Sequence, residues 1–235
     1  EYLGKTIKKI TKEKLGIVKN SEFVLISKQK KEVKDIIKNK LLKNKNIYFY
    51  GTHYKINRIN NNNFEFKFGN KKYIINKPKL NGSHQIENAS IALAFSELLR
   101  KKKFRLDYKR VSKAIKNTFW PGRLEILNYK NKKIILDGSH NIDGAKKLNE
   151  FLRLKNIKPI VLFGMLNNKK INIFLNLIKK QIISIIAIKI PNEKNAFLTD
   201  EIGKNCNDLS IDYVKIKNVD AALDLIEMSK HEYVL

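Results

Sequence analysis

Along the first half of the chain the spacing of apolar residues changes period. Ile7, Ile10, Leu15 and Val18 fall at helical intervals over residues 5–18, and the run EFVLIS, residues 22–27, reads as a buried strand. Val33, Ile36, Ile37, Leu41 and Leu42 then gather on one side of a second helix predicted over 31–44. From 47 to 77 the period drops to two. Phe64, Phe66 and Phe68 alternate with polar residues, and Gly69-Asn70 precedes Tyr73 and Ile75, which predicts an antiparallel meander. The tract NNNN at 60–63 is a loop between strands.

From Ser83 to about Lys102 the text SHQIENASIALAFSELLRKKK gives the strongest helix of the chain. Ser83 is its expected N-cap, and basic residues in its last turn complement the macrodipole. A further helix, about 108–117, leads into FWPGR, where proline and glycine after an aromatic pair mark a domain boundary. Beyond it strands are predicted near 132–137, 159–164, 183–190, 212–217 and 232–235, with helices near 142–154, 170–181, 199–207 and 219–229 between them. Such repetition predicts an α/β fold with a mostly parallel sheet, whose sites gather at the carboxyl ends of the strands. The organisation expected is two domains, 1–118 and 119–235.

Composition narrows the function classes. At 235 residues and 43% hydrophobic content the chain can bury a sizeable core. The single Cys206 excludes an internal disulfide framework, and four scattered histidines offer no zinc-type spacing, so a reducing cytoplasm is the expected compartment. No run of about 18 apolar residues suggests a membrane span. The chain opens on EYLG without a methionine and stops on the apolar EYVL, which predicts a fragment. The net charge of +27 raises nucleic-acid binding as a second function class. Lysine is spread over nearly every segment, however, which reads as a chain-wide bias and a solvated face.

The stretch IILDGSHNIDGAKK, residues 134–147, delivers a carboxylate, a glycine and an imidazole to one turn. It is not a triphosphate loop: Gly138 and Gly144 enclose five residues where such a loop needs four, and Ala145 intervenes before Lys146. Asp137 can accept hydrogen bonds from a ribose or a metal-bound water, or it caps the following helix; His140 can hydrogen-bond or stack on a base, or it is surface. His84 and Asn88 share one helix face, and the Asn88 amide can read an adenine edge or hold a backbone. Trp120 reads as a packing anchor at a domain joint, whereas Arg123 has no apolar role and suits phosphate recognition.

Taken in order, LGKTIKKITKEKLGIVK, LNGSHQIENASIAL, FWPGRLEIL and LDGSHNIDGAKKL resemble the folylpolyglutamate synthase and dihydrofolate synthase branch of the Mur ligase superfamily. The resemblance implies the later part of a central ATPase domain, with its antiparallel meander, followed by a Rossmann-like domain truncated at its end. It implies an ATP-dependent ligase that joins a folate or dihydropteroate carboxylate to L-glutamate through an acyl phosphate. Asn88, Arg123 and Asp137 would be nucleotide contacts, with Arg123 and His140 in catalysis. Lys14, in EKLG, matches the lysine that the family carbamylates, a modification that would help hold Mg2+. The family's phosphate loop and other magnesium ligands would lie upstream of Glu1, so the fragment alone is expected to be inactive. GMLNNKK, from Gly164, has Asn168 and Lys170 where the family carries acids. A monomer, with no nucleic-acid or membrane partner, is expected; a cell-wall Mur-type amino-acid ligase is the alternative within the superfamily.

Overall fold

The computed structural model describes Gly4 and residues 6–41 and 46–235. The chain divides into two compact units: one formed by the residues up to Lys79 together with His84–Thr118, the other by Leu80–Ser83 and Phe119–Leu235.

In the first unit, α1 (Ile7–Lys14) begins at Thr6, whose side chain accepts from the Lys9 N–H. It ends in a turn of 3-10 helix, Leu15–Ile17. Strand β1 (Val24–Ile26), helix α2 (Lys31–Lys40) and strand β2 (Ile47–Phe49) follow. Leu42, expected on the apolar side of the second helix, lies outside the described residues. β2 pairs parallel with β1, Val24 opposite Ile47 and Ile26 opposite Phe49. This corrects the expectation that residues 47–49 open the meander. The connection through α2 is long enough for a parallel crossover, and Val24, Ile26, Ile37 and Phe49 close over a small core of their own.

The meander itself comprises β3 (Tyr54–Arg58), β4 (Asn63–Phe68) and β5 (Lys71–Asn76), all antiparallel. Gly69, at φ +55, supplies the left-handed turn residue between Phe68 and its partner Lys71. In the asparagine tract, the Asn60 side-chain oxygen Oδ1 accepts from the N–H groups of Asn62 and Asn63, which closes the β3–β4 loop. Alternation puts Phe64, Phe66 and Phe68 on one face, buried against Ile86, Ala89, Leu93 and Leu98 of α3 (His84–Lys101). Helix α4 (Tyr108–Asn117) packs its Tyr108, Val111 and Ile115 on the same core.

The second unit is built on a sheet whose strands run β10–β9–β8 and β11–β7–β6, the two halves joined by the parallel bridge Ile160–Val234. These are β6 (Arg123–Tyr129), β7 (Lys132–Asp137), β8 (Val161–Phe163), β9 (Ile185–Ala187), β10 (Tyr213–Lys215) and β11 (Tyr233–Val234), with helices α5 (Ile142–Lys155), α6 (Ile171–Ile178), α7 (Thr199–Asp208) and α8 (Val219–Met228) between. All pair parallel except β6, which runs antiparallel to β7 at one edge. The turn between them uses Lys130 at φ +50, where glycine or asparagine is the usual signal, and this strand has no counterpart in the sequence-based expectation. The core is mainly branched aliphatic, with Ile135, Leu152, Leu175, Ile178, Ile185 and Ile202 fully enclosed. Cys206 belongs to it, and burial pushes its thiol up to about 11, which keeps it an unreactive core side chain. Among the described residues no helix is long and apolar enough to cross a membrane.

Candidate functional site at the end of strand β7

In the second unit, the end of β7 meets the start of β6 at an irregular pairing. Arg123 pairs with Asp137 and Glu125 with Leu136, so Leu124 bulges out of the ladder. Its φ is +50, a conformation that an L side chain adopts only at a cost of about 1 kcal/mol. The surroundings hold it there. The Leu124 side chain is buried in the core, its N–H donates to Asp137 Oδ2 at 3.0 Å, and its carbonyl oxygen accepts from the Asn81 amide at 2.8 Å. A bulge takes two backbone groups away from the ladder, and two side chains satisfy both.

The second Asp137 oxygen accepts from the Ser139 N–H at 3.0 Å, and the Gly138 N–H donates to the Gly122 carbonyl at 2.9 Å. His140 Nδ1 lies 2.9 Å from the Gly138 carbonyl, a contact that requires the proton on Nδ1 and leaves Nε2 as acceptor in the neutral ring. Helix α5 is capped by Asn141, whose side-chain oxygen accepts from the Gly144 N–H at 2.8 Å. Asp137 is therefore not the cap of this helix; Asn141 occupies that position. Gly144 has a packing reason, since a Cβ there would come within 2.9 Å of the Ser139 hydroxyl.

Two loops, PGRLE and LDGSHN, are thus stitched together from both sides, and Gly122 adds an N–H donated to Glu125 at 2.9 Å. On this frame Arg123 is exposed, and among the described residues its guanidinium enters no ion pair or hydrogen bond. His140 is exposed beside the same strand end. Trp120 is 64% exposed and Phe119 66%, so the expectation of a packing anchor is not met. Asn81 was missed by sequence reasoning, and Ser83 was read only as a helix cap. Asn81 holds the bulge, and the Ser83 hydroxyl, expected at a helix cap, donates to Glu150 at 2.7 Å. The available signal was their place in LNGS, the start of the second segment that carries the family resemblance.

The remaining candidates belong to the first unit. Asn88 is exposed on α3, where its amide donates to Gln85 at 3.1 Å. Glu87 beside it pairs with Lys28 at 3.0 Å, and the hydrogen bond and charge of Glu87 raise the Lys28 pKa. Lys14 closes α1 and is exposed. Among the described residues no three His, Cys, Asp or Glu side chains come together as a metal site.

Residues 122–235 match the family described as Mur ligase, glutamate ligase domain. The dihydrofolate synthase/folylpolyglutamate synthase of Bacillus subtilis is 28% identical over 187 residues, covering 76% of this chain and 42% of that protein. E. coli FolC in complex with DHPP and ADP shares the fold at a TM-score of 0.78 and 19% identity, over 99% of this chain and 54% of that one. A bifunctional folylpolyglutamate synthase/dihydrofolate synthase from Yersinia pestis, complexed with AMPPNP and Mn ion, does so at 0.77 and 17%, over 100% and 54%. The chain spans about half the length of the relatives it matches.

Proposed function

We propose, for a chain whose residues 122–235 match the family described as Mur ligase, glutamate ligase domain, that it forms the C-terminal part of an ATP-dependent ligase adding L-glutamate to a folate or dihydropteroate carboxylate. The observation that carries this reading is Arg123, whose guanidinium is exposed and unpaired among the described residues and whose backbone is set by the Leu124 bulge at the end of β7. A guanidinium offers a planar fork to phosphate oxygens, and the frame fixes the point on the backbone from which this one reaches out. The curated relative named for both synthase activities supports the substrate class.

The reaction requires the γ-phosphoryl group of ATP to pass to a carboxylate oxygen with loss of ADP. The glutamate amine then attacks the activated carbonyl, expelling inorganic phosphate and losing a proton. In that sequence Arg123 offsets charge on the transferring phosphoryl group. Asp137 has both oxygens on backbone N–H groups, of Leu124 and Ser139, so its main contribution is to hold the bulge next to Arg123, with lone pairs left for a ribose hydroxyl. His140 Nε2 can accept a proton or a hydrogen bond beside it, and Asn88 is assigned to the nucleotide from the first unit. Lys14, if carbamylated, would serve a divalent cation. The described residues form no group of His, Cys, Asp or Glu that would hold Mg2+ by itself; the ion would supply charge neutralisation at the phosphates. A cytoplasmic monomer, inactive without the segment that precedes it in its relatives, completes the reading.

The test is turnover of a chain extended to the length of those relatives. Glutamate-dependent ADP release with dihydropteroate or folate is expected. Turnover only with a UDP-linked muramyl peptide would replace this reading with the cell-wall ligase.

A further inference from the structure

The first unit contains a pocket of about 710 Å3 where the chain leaves α3 and enters α4. Its wall carries Arg100, Lys103, Arg105 and Arg110 against a single carboxylate, Asp107, with Phe104 as an exposed aromatic surface. The chain path explains the convergence. At the end of α3 the Phe104 N–H bonds back to the Leu99 carbonyl and the Lys103 N–H to that of Arg100, with Lys103 at φ +66. This left-handed stop is usually a glycine, and it folds residues 104–107 back beside the last turn of the helix.

Three features separate this cluster from the general lysine excess. The sequence has six arginines among 49 basic residues, leaving 43 lysines, and three of those six line this one pocket. Where lysine is the default cation, arginine at three converging positions points to a need for its planar, multi-donor head. The cations are also poorly neutralised. Arg100 pairs with Glu97 at 3.1 Å, but Asp107 spends one oxygen capping α4 through the Lys109 N–H. Among the described residues Lys103, Arg105 and Arg110 enter no ion pair. Finally, Arg100 is not free to swing away: its guanidinium also donates to the Tyr73 hydroxyl at 3.2 Å and lies over the Tyr108 ring, 5.2 Å from its centre. One wall of the pocket is therefore preorganised, and like charges gathered there repel until an anion enters.

We propose that this pocket is a binding site for a small, multiply charged oxyanion, held by Arg100, Arg105 and Arg110 with any apolar part of the molecule against Phe104. It stands apart from the ligase reading and from the strand-end residues that carry it. Phosphate and clustered carboxylate present the same chemistry to an arginine fork, so the two sources are separated by probe.

The experiment is calorimetric titration of the 235-residue chain with inorganic pyrophosphate and, separately, citrate at near-physiological salt. Saturable one-to-one binding of either supports the site, and the stronger of the two identifies the source. R105A and R110A should each weaken the preferred probe about tenfold, whereas R105K and R110K, which keep charge but lose the fork, should recover only part of it. A variant on α1 that removes one charge more than R105A or R110A, K8A/K12A, should bind as the parent does. Absence of saturable binding overturns the proposal. So does an equal loss in K8A/K12A, which would mean that the anion responds to net charge alone. Unchanged thermal melting of each variant keeps a folding defect from being read as a binding defect.

Discussion

The two units place their carboxylates differently, and the contrast separates support from chemistry. The first has an aromatic core, with Tyr54, Phe64 and Phe66 fully enclosed, and sets a carboxylate at its edge: Glu97, 1% exposed. The second has an aliphatic core and keeps its acid, Asp137, at a strand end. Glu97 accepts from the Tyr73 hydroxyl at 3.0 Å, Arg100 at 3.1 Å and Lys71 at 3.3 Å. Burial works against its charge, but the Tyr108 and Tyr73 hydroxyls and the Lys71 ammonium outweigh burial and hold the carboxyl below the usual range. Asp137 likewise accepts two backbone N–H groups. A satisfied carboxylate is thus a structural part in both units. What differs is the neighbouring arginine: Arg100 is tied to Glu97, while Arg123, beside Asp137, has no side-chain partner among the described residues.

The sharpest way to test the difference between the cores is truncation. Phe66→Ala should destabilise the first unit by about 3–5 kcal/mol, with the loss read by denaturant unfolding; Ile185→Val in the second should cost only about 1 kcal/mol. Glu97→Gln comes next, at about 2 kcal/mol, because it removes two ion pairs yet leaves an acceptor for Tyr73. A carboxyl whose folded pKa is depressed stabilises the fold above its unfolded value, near 4.5, and loses that contribution as pH falls through the lower folded value. The gap between parent and Glu97→Gln should therefore be full at pH 7 and close in acid; a gap independent of pH would contradict the account.

Asn81→Ala should cost about 1–2 kcal/mol by leaving the Leu124 carbonyl unpaired. Its protection of amide exchange should drop around the bulge and stay unchanged in the meander. The smallest effect is a gain. Lys103→Gly relieves a left-handed lysine and should stabilise the first unit by about 0.5–1 kcal/mol in thermal unfolding.

Periodic elements were legible in the sequence. The phenylalanine alternation of β4 and the helices of the second unit lie where the apolar spacing puts them, because one face of each is buried. Elements fixed by non-local partners were not. β6 is masked by a lysine in its turn, and β2 reads like the start of the meander until its pairing with β1 is seen. Glu97, in SELLRK, looks like an exposed i,i+3 partner of Arg100; its burial comes from Tyr73 and Lys71 on a distant strand. At the strand end, sequence alone picked out Arg123, Asp137 and His140, but not that Asp137 and Asn81 jointly hold Leu124, since a bulge leaves no compositional mark.

The central claim is that this frame exists to present Arg123 to a phosphoryl group. It is tested most directly by Arg123→Ala in the chain extended to the length of its relatives, reading glutamate-dependent ADP release alongside thermal melting. The account predicts a loss of at least about a hundredfold in kcat with melting unchanged. Undiminished turnover would contradict it.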